Sequence, residues 1–146
     1  MTALLRPALP DDATATGEIL YAFARDTDWM PLLHCRDETV MFCGVMIARG
    51  WVTVAVLHGR VAGFIARDGG EICSLYLARK AQGRGLGARL LQQAQHSAEQ
   101  LELWTFQANV GARRFYERHG FRETQRTDGS RNDERLPDIR YEWSRT

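Results

Sequence analysis

The chain reads as α/β of the α+β kind, with a mixed, mostly antiparallel sheet of six to seven strands flanked by about four helices. Three observations lead there. Trp51 to Leu57 and Arg60 to Arg67 are rich in Val, Ile and aromatics, and His58-Gly59 between them reads as a two-residue hairpin turn. Asp68-Gly69-Gly70 then turns the chain into Glu71 to Leu77, which makes a three-strand antiparallel meander. Next, a glycine-rich turn runs into a stretch where Gly87, Leu90, Leu91, Ala94, Ala98 and Leu101 recur at helical spacing, so one stripe of that helix packs on the sheet.

The remaining elements follow from local signals. Leu4-Leu5-Arg6-Pro7 forms a short first strand, and Asp11 or Asp12 caps a helix running to about Ala24. Arg25 to Arg36 breaks the pattern and is read as a loop. A second helix is expected from Asp37 to Gly50, where a left-handed cap fits; its periodicity is poor because nearly every face is apolar. Leu101 to Gln107 returns as a strand. Asn109 is a good N-cap, and Gly120-Phe121 reads as the end of the helix it starts. Strands over about Phe121 to Thr127 and Ile139 to Ser144 follow, separated by the polar segment Asp128 to Asp138.

Composition bounds the function. A chain of 146 residues is the size of one domain, so residues 1–146 are read as a single unit with one core. With 19 basic against 18 acidic residues, no bulk attraction to nucleic acid or an anionic membrane is expected. No apolar run approaches ~20 residues and the N-terminus lacks a signal-peptide pattern, so a cytoplasmic protein is expected. Cys35, Cys43 and Cys73 show no C-x-x-C pairing, which argues against a disulfide framework or a structural zinc and leaves no metal site.

The chemistry is concentrated in Gln82-Gly83-Arg84-Gly85-Leu86-Gly87. Three glycines alternating over five positions leave backbone N–H groups uncovered by side chains, and the start of the next helix adds unpaired donors and partial positive charge. Phosphate oxygens suit such a cradle. A P-loop is excluded, since Ala88 and Arg89 stand where Lys and Ser or Thr are required. A dinucleotide fingerprint fits poorly, because the loop lies past mid-chain after antiparallel hairpins. Downstream lies Asn109-Val110-Gly111-Ala112-Arg113-Arg114-Phe115-Tyr116-Glu117-Arg118-His119-Gly120-Phe121. A Q-x-x-G-x-G turn followed by N-x-x-A-x-x-F-Y-E-x-x-G-F resembles the acetyl-CoA-binding core of the GCN5-related N-acetyltransferase (GNAT) superfamily, over residues 71 to 121, about a third of the chain.

That resemblance implies a GNAT fold and acetyl-CoA as co-substrate. Backbone groups of Leu75, Tyr76 and Leu77 would meet the pantetheine arm as an added strand, Gln82, Gly83, Arg84, Gly85, Leu86 and Gly87 would hold the pyrophosphate, and Asn109 and Phe115 would flank the arm. Tyr116, in the position whose counterpart points toward the CoA sulfur, is the candidate acid; a phenol with pKa near ~10 is protonated at neutral pH and can donate. An alkyl ammonium acceptor with pKa near ~10 must lose a proton before it attacks, so a base is needed.

Glu71 is the first candidate base. It occupies the strand position where the histone-modifying branch carries its catalytic Glu, and strict alternation would put Glu71, Cys73, Leu75 and Leu77 on one face, where burial would raise its pKa. His34 and a water chain are alternatives. Asp28, Trp29 and His34 in the first loop are candidates to receive a cationic or aromatic amine. The expected activity is direct acetyl transfer from acetyl-CoA to a primary amine of a small molecule in a ternary complex. Acetylation of a protein N-terminus or lysine and a non-catalytic acyl-CoA-binding module are the alternatives, and a homodimer stays open.

Overall fold

The computed structural model describes residues 3–146. Its elements are β1 (Leu4–Pro7), α1 (Ala13–Asp26), α2 (Arg36–Ala48), β2 (Val52–Leu57), β3 (Arg60–Asp68), β4 (Glu71–Leu77), α3 (Leu86–His96), β5 (Gln100–Phe106), α4 (Val110–Arg118), β6 (Arg122–Thr127) and β7 (Asp138–Ser144), with short 3-10 turns at Pro10–Asp12 and Arg79–Ala81. The seven strands form one sheet in the order β1-β2-β3-β4-β5-β7-β6. All neighbours run antiparallel except β4 and β5, which α3 joins as a parallel crossover.

Two apolar clusters hold helices against opposite faces of this sheet. On one face Leu90, Leu91 and Ala94 of α3 and Tyr116 of α4 pack with Ile65, Ile72, Leu101, Leu103, Ile139 and Tyr141. On the other, Ile19 of α1 and Cys43, Met46 and Ile47 of α2 pack with Val52, Val54, Phe64 and Ala66. Alternation sets these faces: Leu101 and Leu103 are buried, while Glu102 between them is half-buried and Trp104 beside them is exposed. Burying Leu90 and Leu91 completely stabilises the fold by roughly 1.5–3 kcal/mol each. Helices α1 and α2 cross closely because residue 17 is Gly; a Cβ there would stand 2.6 Å from the Val40 Cα.

Several element ends differ from the sequence expectation. Helix α3 begins at Leu86, so Leu86 and Gly87 belong to its first turn, and it ends at His96, which leaves Ala98 and Leu101 outside it. Asp12 precedes α1 without capping it. Its carboxylate instead accepts the Leu9 N–H at 2.8 Å and pairs with Arg6 at 2.7 Å, which fastens the 3-10 turn to β1. The end of α4 behaves as read: the Phe121 N–H bonds the Tyr116 carbonyl and the Gly120 N–H bonds the Glu117 carbonyl, the paired bonds of a Schellman stop.

Strand β4 departs from strict alternation. Ala66 faces Ser74 and Arg67 faces Ile72, so Cys73 is an extra residue in the ladder. This bulge shifts the side-chain phase. Ile72 joins the α3/α4 cluster together with Leu75 and Leu77. Glu71 is thereby carried to the other face, and Cys73 is exposed. The single apolar face beginning with Glu71 is therefore corrected.

Candidate active site

Strands β4 and β5 pair only at Glu71 and Glu102 and then diverge. The divergence leaves a backbone edge free. Because the Ala78 N–H bonds the Ala62 carbonyl at 2.8 Å, the antiparallel alternation makes Tyr76 and Ser74 the residues that exchange bonds with β3. The main-chain N–H and C=O of Leu75 and Leu77 therefore face the gap. Gly63 permits this strand to sit where it does, since a Cβ there would fall 2.4 Å from the Leu77 side chain.

A cavity of ≈ 1100 Å³ occupies one side of the gap. Leu75, Tyr76, Leu77, Arg79, Gln82, Asn109, Phe115 and Tyr116 all line it, with Phe23 of α1 across from them. At its rim Gly83 and Gly85 hold φ of +78° and +79°, and no atom lies within 4 Å of where their Cβ would stand. Gly85 is the N-cap of α3 and brings no side chain to the cap. The amides of Leu86, Gly87 and Ala88 precede the first intrahelical bond, Arg89 N–H to the Gly85 carbonyl, and are left for a ligand. Gly87 itself is buried, with the Phe115 ring 3.6 Å from its would-be Cβ. Arg84 and Lys80 stand exposed beside the loop.

Asn109 accepts the Ala112 N–H at 3.2 Å as the cap of α4 and lines the cavity as well. Two turns later, Tyr116 packs its ring against Phe115 (5.2 Å between centroids), Phe121 (5.5 Å) and Tyr141 (6.4 Å). Arg113 Nε is the one fully sealed side-chain polar atom without a partner among the described residues. The Tyr116 hydroxyl, also without a protein partner there, therefore opens on the cleft. Burial drives its pKa well above the ordinary phenol value, with Tyr76 adding to the shift. It is held as a proton donor.

A second cavity of ≈ 830 Å³ lies beyond the first and shares Phe23, Tyr76 and Asn109 with it. Trp104 and Phe106 of β5 and the loop between β6 and β7 complete it. Burial pushes the Tyr76 phenol up to about 12, helped by the negative charge of Glu134 from that loop.

The expected acceptor and base residues are placed elsewhere. Glu71 lines neither cavity; it sits at the closed end of the gap, beside Glu102 and in the field of Arg140. Its position past the Cys73 bulge is the physical reason. His34 is exposed, 3.9 Å from Glu38, and lines neither cavity, and exposed Asp28 lines neither. Trp29 braces the wall from behind, edge-on to Phe106 at 5.8 Å and to Phe23 at 6.3 Å. Residues that sequence reasoning missed include Phe23, Trp104, Glu134, Arg60 and Arg118. Only Phe23 had a local signal, standing one turn after the buried Ile19 of α1.

The comparisons agree with this fold. The acetyltransferase (GNAT) domain family matches residues 46–144, well over half of the chain. The chain belongs to the GNAT acetyltransferase family. It is 31% identical over 115 residues to an uncharacterised N-acetyltransferase of Archaeoglobus fulgidus, covering 66% of this chain and 71% of that protein. Its fold is that of YjaB from Escherichia coli, with a TM-score of 0.80 at 20% identity over 98% of each chain. It is also that of yncA from Salmonella typhimurium, solved with its cofactor acetyl-CoA, with a TM-score of 0.75 at 19% identity over 99% of this chain and 94% of that one. This GNAT chain has no described helix long and apolar enough to cross a membrane.

Proposed function

We infer that this GNAT protein transfers an acetyl group from acetyl-CoA to a primary amine of a small molecule, with both substrates bound at once. The observation that carries the reading is the pair of cavities meeting at Tyr76 and Asn109, through the gap that the splayed strands leave. The free edge of Leu75 and Leu77 suits the amides of a pantetheine arm, and the open amides from Gly83 to Ala88 suit a diphosphate. Acetyl-CoA supplies the activated acyl group as a thioester. Arg79, which lines the same cavity, adds positive charge near the phosphates.

Tyr116 is the proposed acid. Its hydroxyl opens on the cleft and its raised pKa keeps the proton available for the departing sulfur. A small acceptor fits better than a protein chain, because the second cavity is walled by aromatic side chains that Trp29 braces, and Glu71 lines neither cavity.

An assay following CoA release over a panel of amines tests the reading. Acetyl-CoA-dependent release with at least one small primary amine is expected. Saturable acetyl-CoA binding without release for any amine or peptide would favour a binding module, and release with peptides alone would favour a protein acceptor.

A further inference from the structure

The second cavity carries a chemistry of its own. Its apolar wall is Phe23, Tyr76, Trp104 and Phe106, and the β6–β7 loop closes it with carboxylates. Two of these are engaged in holding the loop. Asp138 accepts from the Thr127 hydroxyl and from Asn132 at 3.2 Å, and Asp128 accepts the Ser130 N–H at 2.9 Å. Glu134 is different: it lines the cavity, is only partly exposed, and has no hydrogen-bond or ion-pair partner among the described residues. Its charge reaches the buried Tyr76 phenol on the wall between the two cavities. An unpaired carboxylate in a cavity walled by aromatic rings suits an ammonium group, since ring faces and carboxylate both attract a cation.

We propose that this cavity is the acceptor site for a primary amine on an aromatic body, with its ammonium seated at Glu134 and its ring against Trp104 and Phe106. The proposal rests on the acetyltransferase reading and names its substrate class. Glu134 then takes one proton from the ammonium. The neutral nitrogen forms a bond to the acyl carbon of the thioester as the carbon–sulfur bond breaks. The sulfur takes the proton of Tyr116, and the second proton shed by the nitrogen restores Tyr116. The proton on Glu134 passes to solvent, which leaves amide, thiol and one released proton.

The test combines calorimetry with steady-state kinetics. 2-Phenylethylamine, butylamine and phenylalanine are titrated into the free protein and assayed with acetyl-CoA, in the wild type and in Glu134→Gln. Wild-type protein should bind 2-phenylethylamine and use it with kcat/KM about tenfold or more above butylamine, from ring burial. Glu134→Gln should raise the KM for 2-phenylethylamine by about tenfold or more, weaken its calorimetric binding in step and leave the KM for acetyl-CoA within about twofold.

Equal use of the two amines, or an unchanged amine KM in Glu134→Gln, overturns the proposal while the acetyltransferase reading stands. Preference for phenylalanine would overturn it in favour of an amino-acid site at Arg131, the arginine of the same loop that lines the cavity. Absence of any acetyl-CoA binding would overturn the parent reading, and this one with it. The double variant Trp104→Ala/Phe106→Ala separates ring from charge: it should abolish the preference for the aromatic amine, and a retained preference counts against the site.

Discussion

Glu71 stands opposite Glu102 where β4 and β5 meet, and Arg140 lies between their charges and that of Glu142. Arg140 bonds Glu102, bonds Glu142 at 3.0 Å and spreads over the Trp104 ring at 5.8 Å. Like charges facing each other across a strand pair repel, and this guanidinium offsets them. The closed end of the cleft is thus held by one cation. Arg140→Met should lower stability by roughly 1 kcal/mol, less at high salt, as partly exposed ion pairs do. Urea unfolding at two salt concentrations checks it, and an unchanged midpoint would count against the clamp.

In the proposed reaction Tyr116 serves the sulfur side. Tyr116→Phe should lower turnover by at least about tenfold, the smaller end of what a positioned acid contributes, while acetyl-CoA affinity holds. The pH profile adds a check. Because burial raises the Tyr116 pKa, the acid stays protonated above the ordinary phenol range, so no alkaline loss of turnover from this group is expected near pH ~10. Rates measured up to the limit of folding would show it.

Gly85 separates binding from folding. With φ at +79° and open space where a Cβ would go, Gly85→Val strains the backbone by roughly 1–2 kcal/mol without displacing a neighbour. The loop conformation should change and acetyl-CoA affinity should fall, measurable by calorimetry, while circular dichroism stays that of the wild type. Retained affinity would contradict the diphosphate cradle.

Asp12 provides the acid limb of stability. Its bond to Arg6 holds the carboxyl below the usual carboxylate range, with the Leu9 N–H assisting against some desolvation. A folded value below the unfolded one means the stabilisation is complete above pH 3.8 or so and is lost as pH falls through the lowered folded value. Asp12→Asn should cost about 1–3 kcal/mol at neutral pH and flatten the acid part of the urea-midpoint curve. An unchanged curve would remove Arg6–Asp12 from the ledger.

Gly17 tests how α1 and α2 meet. A Cβ 2.6 Å from the Val40 Cα cannot be absorbed by a side-chain rotation, so Gly17→Ala should destabilise by about 1–3 kcal/mol. Phe23, on the same helix, would shift with it.

What was legible in the sequence had local causes. His58-Gly59 takes positive φ at both positions, Asn109 caps α4 through its own side chain, and Gly120-Phe121 closes it with main-chain bonds, all within a few residues of each signal. The face of Glu71 differs from the period-two expectation because a bulge leaves no mark in such a pattern; Cys73 is an ordinary strand residue until Ala66 and Arg67 are set opposite its neighbours. The second cavity was hidden for another reason. Glu134 approaches Tyr76 only because β7 inserts between β5 and β6 and swings the preceding loop over the gap, a non-local event. Trp29, expected from the sequence to receive the amine, buttresses Phe23 and Phe106 and lines neither cavity, because it is held between α1 and a partner on β5, far away in the chain.

Amide chemical-shift mapping of the labelled protein during titration with acetyl-CoA tests the central claim most directly. Saturable shifts should concentrate on Leu75, Leu77 and Gly83 to Ala88, the unpaired strand edge and the start of α3. Saturation with these amides unmoved, or shifts gathered on another face of the sheet, would contradict the placement of the acetyl donor in the gap between β4 and β5.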